Sequence, residues 1–347
     1  MPRLRLHPYR LPLRRPWVAA SATLAERRGW LIELVADDGL VGWGDCAPLP
    51  SAGEAGEARC LAALKEIGDR PRFHEPQNRG LSPISPISEV RWAFETARFD
   101  IEARRRGVPL ARFLGADDLS VPVNAALGPL DESCAVRAGD ALARGFAIGK
   151  VKVGLAGIDA ELARLRNIVD ATGGRLRLRL DANRAWPAID ARRFLAALDG
   201  LPIDAIEEPL AAPTVAALAA LQAESPCAIA VDESLPSLGA DALIAAKAVR
   251  RLVLKPARIG GVLQTLTLAK RAQEAGMEVV ITSVVDSVIG VAAAAHLAAA
   301  IAPKAAHGLA TGDWLAEDVA PPLPIRDGHL HLPDAPGLGV APLMLPG

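Results

Sequence analysis

From about residue 120 onward the chain repeats one pattern, a short apolar strand ending on a polar side chain and then a helical stretch of roughly 10 to 16 residues. Eight strands can be read: "SVPVNAAL", "AIGKVKVG", "RLRLRLDAN", "IDAIEEP", "CAIAVDES", "RRLVLKP", "EVVITSVVD" and "HGLATGD". Strands that alternate with helices form a parallel sheet, and eight βα units over roughly 200 residues predict an α/β fold closed into a (β/α)8-type barrel. In such a barrel reactive groups collect where the strands end, at the C-terminal rim.

Parity then decides which side chains enter the barrel. Helices cover the outer face of each strand, so the apolar parity points outward and charge on the other parity points in. The stretch "RLRLRLDANRAW" alone would suit an edge strand with its arginines in water. Inside a barrel its leucines meet helices, Arg179, Asp181 and Asn183 point inward, and Arg175 and Arg177 reach solvent at the far end. The same reading places Lys150 and Lys152 inside from "KVKV", Glu207 from "AIEEP", Asp232 from "AIAVDES" and Lys255 from "LVLKP". From Lys152 through Asp181, Glu207 and Asp232 to Lys255 the intervals are 29, 26, 25 and 23 residues, each about one βα unit.

Three carboxylates on three successive strands, with no Cys or His beside them, make an all-oxygen donor set that suits Mg²⁺ or Mn²⁺ better than zinc. Without a cation the cluster would repel itself. The chain's 39 basic residues include only seven lysines, yet three of the seven fall at this rim. A desolvated lysine can shed its proton and act as a base, which arginine cannot. A divalent metal with lysine bases fits abstraction of a proton next to a carboxylate, an arrangement known from enolase-type sites. Arg179, one inward step below Asp181, keeps its charge and requires a carboxylate partner, from the protein or from a ligand.

The first 50 residues read as a small antiparallel sheet with a hairpin at Asp38-Gly39. Helical spacing follows over 54–67 and 88–106, with Ser88 as N-cap and Gly107 as stop. The expected division is an α+β capping domain over 1–107, the barrel over 108–320, and a C-terminal segment, 321–347, that returns to the capping domain and completes it.

Acidic and basic residues number 40 and 39, so no overall field draws nucleic acid or an anionic membrane, and the expected partner is a small-molecule carboxylate. Four scattered cysteines without a C-x-x-C pair read as buried free thiols in a reducing cytoplasm. The basic N-terminus lacks the apolar run of a signal peptide. The most apolar stretch, "VIGVAAAAHLAAAIAP", falls short of the roughly 20 residues that span a bilayer, and reads as a buried helix. Oligomeric state is not readable.

"KVKVG", "LDAN", "IEEP", "VDES" and "LKPARIGG" together resemble the enolase superfamily, muconate-lactonizing-enzyme subgroup, over nearly the whole chain. "GWGDCAPLPSAGEA" is similar to the family's capping-domain loop, with Asp45 where Glu is more usual. The resemblance implies a modified TIM barrel with Asp181, Glu207 and Asp232 as magnesium ligands, Lys152 as base, Lys255 across the substrate, and Glu208 and Glu233 behind the ligands. The mandelate-racemase branch's histidine on the seventh strand is missing from "VVITSVVDS", and His296 and His307 read as packed residues.

Within the subgroup, "RLRLDANRAW" and "ITSVVDSVIG" look most like the o-succinylbenzoate synthases, hydro-lyases of menaquinone biosynthesis. That resemblance implies syn dehydration of 2-succinyl-6-hydroxy-2,4-cyclohexadiene-1-carboxylate to 2-succinylbenzoate through an enediolate. Lys150, Arg179, Asn183, Thr282, Ser283 and Gly308 would then contact substrate, and cap loops over 13–28 and 45–55 would shape its far end. N-acylamino acid racemases and dipeptide epimerases use the same metal site and both lysines, and are the main rival. The paired aspartates of a dipeptide epimerase are not matched by Asp313 in "HGLATGDWLAED". A binding protein on the same barrel and a Schiff-base aldolase using Lys255 are more remote.

Overall fold

The computed structural model describes residues 3–19, 22–49, 52–68 and 85–343, with the side chains of Arg15 and of 17–24 left aside. Part of each cap loop expected to shape the substrate end, 13–28 and 45–55, therefore lies outside the described residues.

Strands β1 (Arg3–Ala19), β2 (Ala22–Val35) and β3 (Val41–Cys46) form an antiparallel meander. The β2–β3 turn is the expected one: Gly39 takes φ +85°, and the Ala36 N–H donates to the Leu40 carbonyl at 2.8 Å. Helices α1 (Gly53–Gly68) and α2 (Ser88–Arg105) cover one face, burying Leu64, Ile67, Phe94 and Ala97 with Ile32 and Leu34 of β2. A Cβ on Gly42 or Gly44 would strike the α2 backbone at Ala97 or Ala93, so β3 lies directly on that helix. Ser88 is not the α2 cap. Ile87 holds that position with no side-chain cap, and its own N–H donates to Ser85 Oγ at 3.1 Å. Gly107 ends the helix at φ +67°, as expected.

The predicted first strand divides into β4 (Ser120–Pro122), which lies outside the barrel sheet, and β5 (Ala125–Pro129); the barrel continues with β6 (Ile148–Lys152), β7 (Arg177–Asp181), β8 (Ile203–Glu207), β9 (Ala228–Val231), β10 (Arg251–Leu254) and β11 (Glu278–Ile281). Strands β5 to β11 form one parallel sheet in chain order. The eighth strand shrinks to His307 and Gly308, which make isolated parallel bridges to Val123 and Thr282. Those bridges connect the two ends of the sheet. Helices α3 (Leu110–Phe113), α4 (Cys134–Ala143), α5 (Ile158–Thr172), α6 (Ala188–Ala196), α7 (Val215–Glu224), α8 (Leu235–Leu238), α9 (Ala240–Ala245), α10 (Pro256–Ile259), α11 (Val262–Glu274) and α12 (Val288–Ile301) accompany them.

Leu176, Leu178 and Leu180 are fully buried while Arg175 and Arg177 are exposed, as strand parity requires. The alanine-rich α12 is buried nearly end to end, and no helix among the described residues is long and apolar enough to cross a membrane. Its His296 is a packing residue: Nδ1 accepts from the Ala111 N–H at 2.9 Å and Nε2 faces the Leu338 carbonyl at 3.1 Å. Burial lowers its pKa to about 4, so the ring is neutral. All four cysteines are buried and free.

The C-terminal segment divides its contacts. Strands β12 (Ile325–Arg326) and β13 (His329–His331) form a hairpin that pairs with β4, adding no strand to the β1–β3 sheet. Contact with the cap comes afterwards, where the Leu338 N–H donates to Asp100 of α2 at 2.7 Å. Just before the segment, Leu315 bridges Leu13 of β1.

Candidate active site

Strands β6 to β10 end side by side, and each delivers its polar residue to the same rim. Register sets Lys152 beside Asp181 and Asp181 beside Glu207. Lys150 Nζ stands 3.0 Å from Asp181 Oδ2 and also bonds Glu207 Oε2, while Lys255 Nζ bonds Asp232 Oδ2. The Asp181, Glu207 and Asp232 side chains are all buried. Lys152 lies on β6 and Lys255 just past β10, four strands apart in an eight-unit ring, so the carboxylates occupy the arc between the two lysines.

Charges in so dry a place shift one another. Burial opposes the Lys150 ammonium, but Asp181, Glu207 and Asp232 outweigh it and hold its pKa above the ordinary value. Lys152 goes the other way. Burial lowers its pKa, helped by the neighbouring charges of Lys150 and Lys255 and opposed by Asp181. Burial also raises Glu207, whereas Asp181 is held below the usual carboxylate range because Lys150 more than offsets its burial.

Behind the rim, Glu208 accepts from the Asp232 N–H at 2.7 Å, the Ser234 N–H at 2.8 Å and Ser234 Oγ at 2.5 Å, so it fixes the end of β9. Glu233 Oε1 accepts from Asn183 Nδ2 at 3.1 Å. Its Oε2 is buried with no hydrogen-bond partner, and burial followed by Asp232 raises its pKa to about 7. Asn183, Arg184 and Glu208 all adopt positive φ directly after the strands that carry Asp181 and Glu207. Non-glycine residues held in that region mark backbone that its surroundings over-determine, as at ligand sites.

Among the described residues no three His, Cys, Asp or Glu side chains are gathered closely enough to hold an ion; Asp181 and Glu207 share the Lys150 ammonium and Asp232 bonds Lys255. The donor set nevertheless suits a hard divalent cation. Three buried carboxylates offer only oxygen, two lysine ammonium groups already sit on them as positive charge, and Glu233 keeps an orphaned acceptor beside Asp232.

Arg179, expected to contact substrate, is engaged within the protein. Its side chain is 2% exposed, and its donors go to Asp204 Oδ2 at 2.8 Å, Asn124 Oδ1 at 3.1 Å and the Ala306 carbonyl at 3.0 Å. The carboxylate that its buried charge demands comes from the protein, and Arg251 shares it. Thr282 Oγ1 donates to the Gly308 carbonyl at 2.9 Å, and Ser283 Oγ lies 3.0 Å from Thr311 Oγ1. A Cβ on Gly308 would collide with Thr282, so that glycine is required by close strand approach. His307 is buried between the Ile281 N–H and the Ala302 carbonyl, which makes it structural.

Sequence reading passed over Asn124, Asp204 and Arg251, and also the contact that anchors the cap. Asp45 of β3 accepts from Tyr9 Oη at 2.7 Å, and from the Ser287 N–H at 3.0 Å and Ser287 Oγ at 2.7 Å at the start of α12.

The model of the mandelate racemase / muconate lactonizing enzyme N-terminal domain matches residues 4–115, and the enolase C-terminal domain-like model matches residues 133–344. The chain belongs to the enolase superfamily. It is 32% identical to the L-Lys-D/L-Arg epimerase of Methylococcus capsulatus, over 95% of each protein. To the chloromuconate cycloisomerase of Pseudomonas putida it is 28% identical, over 95% of this chain and 93% of that one. The structure of a dipeptide epimerase from Enterococcus faecalis complexed with Mg and the dipeptide L-Leu-L-Tyr superposes with a TM-score of 0.84 at 27% identity, covering 97% of this chain and 98% of that one. These likenesses are to cycloisomerases and epimerases of the superfamily, so the finer assignment rests on this chain's own residues.

Proposed function

We propose that this enzyme dehydrates 2-succinyl-6-hydroxy-2,4-cyclohexadiene-1-carboxylate to 2-succinylbenzoate, a step of menaquinone biosynthesis. The broader reaction class, removal of a proton next to a carboxylate, is supported by the lysine-flanked carboxylate arc and by the superfamily. One observation favours the dehydratase over a dipeptide epimerase, whose substrate brings an ammonium group that needs acidic partners. Three of the four carboxylates that follow the seventh and eighth strands face groups of this protein, although Asp286 Oδ1 has no hydrogen-bond partner. Asp286 faces Arg27 at 3.5 Å, Asp313 is 77% exposed and faces Arg144 at 3.4 Å, and Asp318 accepts the Val288 N–H at 3.0 Å. Ser283 and Thr311 share one hydrogen bond there, which leaves one hydroxyl proton of the pair for a succinyl carboxylate.

Lys152 takes the proton α to the ring carboxylate, aided by the burial that lowers its pKa. The electron pair of that C–H bond passes into the carboxylate as an enediolate and returns to expel the 6-hydroxyl. Lys152 gives its proton to the departing hydroxide, so water leaves and the ring becomes aromatic. Lys255 offers its ammonium to the delocalised anion from the opposite side. Asp181, Glu207 and Asp232 would hold Mg²⁺, which when bound supplies positive charge to the enediolate oxygens.

A second reading, racemisation of N-acylamino acids, is favoured by the two lysines on opposite sides of the arc and by the epimerase relative. Ultraviolet detection of 2-succinylbenzoate from the cyclohexadiene acid separates the two. No dehydration, alongside racemisation of N-succinylamino acids, would overturn the choice.

A further inference from the structure

The motif "LKPARIGG" continues past Lys255 into two adjacent glycines, and the structure gives both a physical reason. Gly260 has φ +102° and Gly261 φ +119°. A Cβ on Gly260 would run into the guanidinium of Arg91, and one on Gly261 into the carboxylate of Glu95. Both side chains come from α2, a helix of the N-terminal cap. Glu95 Oε2 also accepts from the Leu263 N–H at 3.1 Å, so a cap-domain residue closes the first turn of the barrel helix α11. The glycine pair is tied back toward the lysine, since the Gly260 and Gly261 N–H groups donate to the Pro256 carbonyl at 2.9 and 3.1 Å. The Lys255 carbonyl in turn accepts from Arg258 at 2.8 Å and Ile259 at 2.9 Å.

We infer that Glu95 is a positioning residue for Lys255: from the cap it pins the Gly260–Gly261 turn, and through the single-turn helix α10 that pin sets where the Lys255 ammonium stands against Asp232. Closure of the cap and placement of this lysine are then one event. The inference rests on the reading of Lys255 as a residue of the site and not on which reaction the site performs.

Competitive acetylation by trace acetic anhydride, read by mass spectrometry on the full-length protein with Mg²⁺ present, reports the reactivity of Lys255 and Lys152 separately and needs no substrate. In Glu95→Ala, Lys255 is expected to react several-fold faster, because its half-buried amine swings away from Asp232 and becomes accessible to the reagent, with Lys152 unchanged. In Glu95→Gln, whose amide oxygen still accepts from Leu263, Lys255 is expected to behave as in the wild type. Unchanged Lys255 reactivity in a folded Glu95→Ala protein would overturn the inference, and so would an equal rise at Lys152, which would signal general loosening. Should Glu95→Ala fail to fold, Gly261→Ala presses on the same contact from the other side and must give the same Lys255-selective change. If the assigned dehydration fails while this selectivity holds, the activity is wrong and the positioning role stands.

Discussion

Lys150 Nζ lies 3.0 Å from Asp181 Oδ2 and bonds Glu207 as well, so two of the three rim carboxylates share one ammonium. Removing one partner of a buried charge pair costs about 3 to 5 kcal/mol, because it strands the other charge. Lys150→Met should therefore destabilise the metal-free protein by about that much. A divalent cation held by the same carboxylates replaces the missing charge, so Mg²⁺ should stabilise the variant more than the wild type. Urea unfolding with and without chelator measures both, and equal stabilisation of the two proteins by Mg²⁺ would argue against a cation on Asp181 and Glu207.

In the proposed reaction Lys152 sheds its proton before turnover, and its burial moves that event below the ordinary lysine value of 10.5. Activity should fall as pH drops through this lowered pKa, since the protonated ammonium cannot act as base. Lys152→Ala should lose turnover by several orders of magnitude while its circular dichroism and unfolding midpoint stay near wild type. A variant that keeps wild-type kcat would remove Lys152 from the role.

The candidate site was legible because strand parity and βα spacing are local, and each polar residue announces its strand end. Parity failed where the backbone departs from strict alternation. Between Leu178 and Arg179 the β7–β8 register slips, so Ala205 rather than Asp204 pairs with Arg179. A bulge of this kind re-aims a side chain, and Asp204 meets Arg179 from a position that alternation would send outward. The eighth strand was longer in sequence than in space for a related reason: after Gly308 the chain leaves to make other contacts, with Leu315 reaching β1. Cap-to-barrel contacts were beyond reach, since Asp45 and Ser287 stand 242 residues apart and neither pattern names the other.

The burial of Asp45, which its bond to Ser287 opposes, should make the cap sensitive to pH. Burial first, and then Asp286, raises Asp45 from 3.8 to about 6. The folded protein therefore binds this proton more tightly than the unfolded chain, and the corresponding stability is present at pH 4 and lost as pH rises to about 6. Asp45→Asn lacks this titration. Its stability relative to wild type should improve by about 2 to 3 kcal/mol between pH 4 and pH 7, given about 1.4 kcal/mol for each pKa unit. Urea unfolding across that range tests it, and a pH-independent difference would show that Asp45 does not titrate there.

Asp204 titrates in the opposite sense. Its own burial disfavours the carboxylate, yet Arg179 and Arg251 outweigh that and bring its pKa down from 3.8 to about 2. The stabilisation is thus complete above pH 4 and disappears as pH falls toward 2, so a wild-type acid-unfolding limb should lie in that interval. With its side chain 3% exposed and two arginines depending on it, Asp204→Asn should cost about 3 to 5 kcal/mol at pH 7. Arg179→Met should cost less, since Asp204 keeps Arg251. In the double variant the two losses should fall short of their sum, because the second substitution removes a charge that the first had already stranded. Strict additivity by urea unfolding would mean that the guanidinium and carboxylate do not interact in the folded protein.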